Sequence, residues 1–271
     1  MKAYESNLDV FASVFKRSVK HHFRFHEREL TSMMVIADDE HLKALDDFAA
    51  TYCENRTQFA YNSTFRWSTL RDELSNQQPS MVLIQRQLGI HDMGLKFSMG
   101  PILESITQEL NIPVLVLPHD FSGCKIKNVA IGFDHQIDNS HLVNQALLLK
   151  NSIENLVLVH VEEVSIFNYY MDAISKIPGI NTDYAEENIQ QTILKLSGDF
   201  FEDVRSKLSS QKMNISSHCS FGDVVTQYGK LINDHKIDLL VFEAEDDSKL
   251  AMHSLGQSLA IQFPNVATLL V

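Results

Sequence analysis

Apolar residues fall along this chain in short blocks separated by stretches of helical periodicity, an alternation that predicts a parallel sheet with helices on its faces. The order is clearest from residue 128 onward. Residues 128–133 predict a strand, and a polar turn over 134–139 leads to a helix with Leu142, Ala146 and Leu149 on one face. Residues 156–161 are almost continuously apolar, as expected of a strand buried on both faces. Ile189, Ile193, Leu196, Phe200, Val204 and Leu208 then mark a long amphipathic helix. Residues 213–219, 223–234, 238–243, 250–262 and 266–271 predict strand, helix, strand, helix and a closing strand. Five strands in a doubly wound order result.

The first half repeats the end of this pattern. Met81-Val82-Leu83-Ile84, the turn Ser98-Met99-Gly100, a helix and Val114-Leu115-Val116-Leu117 stand as Leu239-Leu240-Val241-Phe242, Ser254-Leu255-Gly256, a helix and Thr268-Leu269-Leu270-Val271 do later. The chain therefore contains an internal repeat. Upstream, residues 32–37 predict a strand, 41–52 a helix, 57–64 a strand and 65–74 a short helix, which leaves this half one visible strand short of its partner, either lost or formed by the first residues. The stretch 118–127, with glycine, serine and two lysines, has the composition of a linker. The two closing strands carry neither the lysines nor the internal prolines that protect a sheet edge, so their N–H and C=O groups are expected to seek partners.

Composition narrows the function classes. A length of 271 residues suits two domains, and 44% hydrophobic with 21% charged residues is ordinary for a globular chain. A formal net charge of -12 repels phosphate backbones and anionic membranes, which argues against nucleic acid as a partner, and no apolar run is long enough to span a bilayer. Cys53, Cys124 and Cys219 are an odd, widely spaced set without a CxxC pair, as fits a reducing cytoplasm. The N-terminal stretch is locally basic through Lys16, Arg17, Lys20, Arg24 and Arg28. Its apolar Leu8, Phe11, Phe15, Val19 and Phe23 predict an amphipathic helix with a solvated basic face. His22 and His26 lack a third ligand, so no metal site is assigned. The apolar run Tyr169, Tyr170, Met171, Ile174 and Ile177 after Phe167 is read as a helix packed on the other domain, with a lid over a pocket as the alternative.

Val129-Ala130-Ile131-Gly132-Phe133-Asp134 at the first strand of the second half and Leu158-Val159-His160-Val161 at the second carry a resemblance, together with Gly222-Asp223, the Ser254-Leu255-Gly256 turn and the closing strand. In order and spacing they resemble the universal stress protein family in its tandem form. The resemblance covers nearly all of residues 127–271 and, more faintly, 30–118. It implies an α/β chain of two tandem doubly wound parallel-sheet domains of flavodoxin-like order, residues 1–118, degenerate, and residues 119–271. It also implies a cytoplasmic, stress-related regulatory or binding protein rather than an enzyme, so no catalytic residue is assigned.

Many members of that family bind ATP through Gly-x-x-Gly, nine residues and then Gly-Ser or Gly-Thr, glycines that let backbone N–H groups approach phosphate. Aligned on Gly256, this chain has Glu243 and Asp246 where the cradle glycines belong, with Gln257 in place of the hydroxyl and Ser258 one residue on. In the first half Gly100 stands at the corresponding turn, but the spacing falls on Gln87 and Ile90, with Pro101 after it. Asp134, Val161, Gly256 and Ser258 are thus the candidate cofactor-binding residues, while the acidic run 243–247 argues that no cofactor is held. An ATP-binding switch with slow hydrolysis is the alternative. The resemblance leaves a protein partner or small ligand as the object of binding, and it implies an intramolecular pseudo-dimer whose two closing strands pair antiparallel about a pseudo-two-fold axis, with a further homodimer left open. No G-x-S-x-G elbow, P-loop, dinucleotide fingerprint or H-E-x-x-H is present.

Overall fold

The computed structural model describes residues 22–89, 99–118, 121, 123, 125–133, 140–244 and 254–271. Strands and helices alternate: β1 (Met33–Asp38), α1 (Leu42–Ala49), β2 (Arg56–Tyr61), α2 (Trp67–Gln77), β3 (Met81–Gln85), α3 (Pro101–Glu109) and β4 (Val114–Leu117). The second half contributes β5 (Asn128–Phe133), α4 (Ser140–Ala146), β6 (Asn155–Glu163), α5 (Val164–Ser175), α6 (Thr182–Lys207) and β7 (Asn214–Gly222). It ends with α7 (Val224–His235), β8 (Leu239–Phe242), α8 (Ser254–Gln262) and β9 (Ala267–Leu270).

The nine strands among the described residues form one sheet in the order β2-β1-β3-β4-β9-β8-β5-β6-β7. Both halves are doubly wound, the chain moving to either side of its first strand. The first runs 2-1-3-4 in its own numbering; the second reaches one strand further out, as 3-2-1-4-5. Among the described residues the first half has no counterpart of the outer strand β7, because β2 returns through α2 directly to β3. Every pairing is parallel except one. At the seam Val114 faces Leu270, Leu115 faces Leu269 and Val116 faces Thr268 in antiparallel register, so the two closing strands lie side by side as their unprotected edges predict.

Alternation along the strands divides the interior into two layers. Leu83, Leu115, Ile131, Leu158, Val241 and Leu269 point to one face, where they meet Phe48 of α1, Val143 of α4 and Phe201 of α6 in a core that runs unbroken across the seam. The other face is split. Ile84, Val116 and Leu270 pack with Leu70 of α2 and Ile106 of α3, whereas Val159, Leu240 and Phe242 pack with Tyr228 of α7 and Leu259 of α8.

Two sequence expectations meet a different outcome. Leu8, Phe11, Phe15 and Val19 of the expected N-terminal helix lie outside the described residues, and Phe23, its last apolar position, is not helical. It is fully buried against Phe200, with ring centroids 6.4 Å apart. The Phe23 N–H donates to Asp203 Oδ2 at 2.7 Å and its carbonyl accepts from Lys207 Nζ. Further on, the Arg24 N–H donates to Ser140 Oγ and the His26 N–H to Asn144 Oδ1, so the segment crosses α6 and α4 of the second half before entering β1. The run after Phe167 is the second correction. It forms α5, which packs within its own half: Phe167 meets Phe221 of β7 edge to face at 5.2 Å and joins Met171 and Ala185 in a small cluster.

Burial works to raise the Asp203 carboxyl, and its hydrogen bonds from Lys207 and the Phe23 N–H outweigh that, holding it below the ordinary carboxylate value. A depressed carboxyl contributes stability that is complete above the unfolded value, roughly pH 4, and is lost as pH falls through the lower folded value. Asp203→Asn should therefore destabilise the protein at pH 7 by about 1 kcal/mol, with the deficit disappearing as pH falls through the depressed folded value. Urea titrations of both proteins across that range measure it. A deficit that persists at low pH would show that charge is not what holds the segment down.

Candidate functional site

In an open α/β sheet, ligands bind outside the carboxyl ends of the strands where the strand order reverses. In the second half that point lies between β5 and β8. Asp134, which follows β5, is outside the described residues, as are Asp246 and the rest of the acidic run after Ala244. Val161 sits half-buried on β6, packed against the cluster of Tyr228 and Phe242. Gly256 and Ser258 both lie on α8, Gly256 buried and Ser258 exposed. The structure therefore joins Val161 and Gly256 to one layer, through Phe242, and leaves Ser258 on the solvent side.

What fills this crevice is aromatic. A Cβ built on Gly132 of β5 would stand 2.2 Å from Cε1 of Phe242 and 2.4 Å from the Tyr228 oxygen. Gly256 is pressed from the same side: its Cβ would meet Phe242 Cβ at 3.0 Å and the Glu243 carbonyl oxygen at 3.3 Å. Both glycines are thus accounted for by close approach of helix to strand.

On the opposite face polar groups gather. Glu243, directly after β8, pairs with Nε2 of His141 in the first turn of α4 at 3.1 Å. His160 Nδ1 donates to the Phe133 carbonyl at 3.0 Å, and its Nε2 stands 3.7 Å from the carboxylate of Glu162, both side chains being buried. Val161 is therefore flanked in sequence by two buried polar residues that point to the other face.

The first half holds a matching arrangement. In β1 Met33 stands opposite Met81, and in β5 Val129 stands opposite Leu239, which places Asp38 where the second half has Asp134 and Gln85 where it has Glu243. Asp38 Oδ1 accepts from the His41 ring nitrogen Nδ1 at 2.7 Å and from the His41 N–H at 2.9 Å. Gln85 Oε1 accepts from the Asp38 N–H at 3.3 Å. Burial works to raise the Asp38 carboxyl, and the bonds from His41 and Gln85 hold it lower. Gly100, at the first half's turn, has φ 110° and the Leu88 carbonyl oxygen 3.1 Å from the position of a Cβ, so backbone geometry alone requires glycine there.

No family model and no curated protein matches this chain. Solved structures do. A universal stress protein from Archaeoglobus fulgidus superposes with a TM-score of 0.54 at 11% identity, over 89% of this chain and 96% of that one. The fold is that of a universal stress protein. Universal stress protein UspA from Lactobacillus plantarum aligns with TM-score 0.44 and 15% identity over 55% of this chain and 99% of its own. A protein of the universal stress protein family from Burkholderia pseudomallei aligns with TM-score 0.37 and 14% identity over 53% and 95%.

Asp38, His41, Gln85 and His141 escape a motif search. Asp38 was within reach, because Ile36-Ala37-Asp38 and Gly132-Phe133-Asp134 fall in step once the two first strands are aligned on their partners. The histidines belong to different offsets, three and seven residues beyond the aspartates, and only the fold brings each toward the end of a strand. Among the described residues no group of three or more histidine, cysteine or acidic side chains could hold a metal ion, and no helix is long and apolar enough to cross a membrane.

Proposed function

We propose that this chain is a cytoplasmic, stress-related regulatory protein that works by binding, without catalysis and without a nucleotide in its phosphate cradle. The observation that carries the reading is Glu243. A carboxylate stands where a glycine would offer its N–H, and it is turned to His141 at 3.1 Å. A carboxylate about 4 Å from a phosphate oxygen costs roughly 1 kcal/mol in water and about 4 at an effective dielectric near 20. The close packing of Phe242 and Tyr228 over Gly132 supports the same reading, since it narrows the space beside β5. These residues do not fit ATP. The two halves, joined through β4 and β9, stand in this proposal as a two-domain pseudo-dimer within a single chain, bound by a protein partner or a small ligand. An ATP switch is the competing reading, favoured by Val161 and Gly256, which keep family-like residue types.

Calorimetric titration with ATP and magnesium separates the two. The intact protein should give no heat up to millimolar ATP, and a micromolar signal would sink the proposal. Replacing Glu243 and Asp246 together with glycine should bring binding into the measurable range, by removing charge and restoring backbone access. No change would place the obstacle in the aromatic packing instead.

A further inference from the structure

β7 ends the sheet on the second half's side, and its outer edge is open. The Asn214 N–H donates to the Glu154 carbonyl, so Asn214 and alternate residues after it turn their backbone groups toward β6. Ile215, Ser217, Cys219 and Phe221 turn theirs outward. The Ile215 carbonyl accepts from Arg205 Nε at 3.4 Å. The rest of this row has no protein partner among the described residues. Over nine residues the strand carries no lysine, no proline and no carboxylate, the devices by which an edge is normally closed to pairing. The opposite edge, β2, is six residues long and opens on Arg56, which is tied to Asp46.

Two further observations converge on β7. Among the described residues the exposed large apolar side chains are Val164, Tyr169, Ile177, Tyr184, Leu196 and Val225, and all lie on or between the helices α5, α6 and α7 that border this strand. Exposed apolar side chains gathered on the elements at one end of a sheet mark a contact surface. The charges along the edge are also polarised. At the amino end Arg205, which also pairs with Glu202, donates through Nη2 to the Ser217 hydroxyl. At the carboxyl end stand Asp223, exposed at the start of α7, and Glu163, opposite Gly222 in the ladder.

We propose that β7 is the surface through which two copies of this chain associate, the strands pairing antiparallel about a two-fold axis. An edge flanked by Arg205 at one end and Asp223 at the other is complementary to itself only when antiparallel; parallel pairing would set Arg205 against Arg205. A two-fold through Cys219 places Ser217 across from the partner's Phe221 and Arg205 beside the partner's Asp223, twice over. The contact uses the same patch on both copies and therefore closes, whereas pairing β7 with β2 would propagate as a fibre. The association is independent of any nucleotide and of the seam within the chain.

Sedimentation velocity and light scattering on the intact protein, from about 1 to about 200 µM, test this. The expected particle has twice the 30.8 kDa of the chain. Ser217→Lys, on an exposed position of the edge, should weaken the dimer at least about tenfold while leaving the thermal transition in place. Arg205→Glu and Asp223→Arg should each weaken it roughly tenfold, and combining them should restore it. Asp223 also caps α7 by accepting from the Thr226 N–H at 2.8 Å, so recovery in the double variant, where that cap is still missing, excludes a folding defect as the cause of the single loss. A monomer at every concentration, a dimer indifferent to Ser217→Lys, or charge reversals whose losses merely add would each overturn the proposal.

Discussion

Removal of residues 268–271 should abolish the folded state. The segment carries most of β9, an interior strand hydrogen-bonded to β8 on one side and β4 on the other, and it takes away Leu269 and Leu270, both at or near zero exposure. Truncating a single buried leucine to alanine costs about 2–5 kcal/mol, while whole domains are stable by about 5–15. Loss of two leucines together with two ladders exceeds that margin. The shortened chain should be insoluble or lack a cooperative thermal transition. If it is instead soluble, unchanged in oligomeric state and as stable as the intact protein, β9 is not an internal seam. The same strand offers a change of opposite sign. The Thr268 hydroxyl is buried and finds no hydrogen-bond partner among the described residues. Thr268→Val keeps the shape and removes that group, so it should raise stability by about 1 kcal/mol in the same melting experiment.

The second large effect is expected at Gly132. Alanine there would place its methyl 2.2 Å from the Phe242 ring and 2.4 Å from the Tyr228 oxygen, and both rings are about 1% exposed, with nowhere to retreat. Overpacking of a sealed core costs about 1–3 kcal/mol, and the upper end applies where two rigid rings are struck at once. At this size that is a fall of roughly 6–10 °C in Tm. Shortening the obstacle should restore part of it: Gly132→Ala with Phe242→Leu should melt higher than Gly132→Ala alone, a coupling that a double-mutant cycle reads directly. Equal melting of Gly132→Ala and the parent protein would show that the crevice is not packed as described, and would weaken the case against a nucleotide there.

Most strands were legible because their apolar runs are short and bounded by polar turns. Asn128–Phe133 is matched to the residue, and β6 and β7 extend two or three residues beyond their predicted ends because Glu162, Glu163 and Ser220 look polar while still lying in the ladder. That the closing strands would find a partner was legible from an absence, that of lysine and internal proline in both, while their antiparallel pairing with each other followed from the resemblance. What could not be read was where the chain goes between elements. Nothing in the spacing of Phe23 distinguishes a helical face from an extended segment docked between α4 and α6, because both bury one aromatic ring. Likewise the spacing of Phe167, Met171 and Ile174 shows a helix but not its neighbour, which depends on Phe221 arriving from a strand some fifty residues later. At the candidate site the aspartates could be aligned, whereas the packing of Phe242 over Gly132 depends on the register of β5 against β8 and has no signature in either segment alone.

The path of residues 22–31 bears on how this chain would respond to a protease. The first half begins on the second half's helices, through Phe23, Arg24 and His26, and ends in β4 against the last strand of the chain. A cut in the connection near residue 123 would therefore release nothing. The two pieces would stay clasped at both ends, each completing the other's core, and the nick would show on a denaturing gel but not in solution.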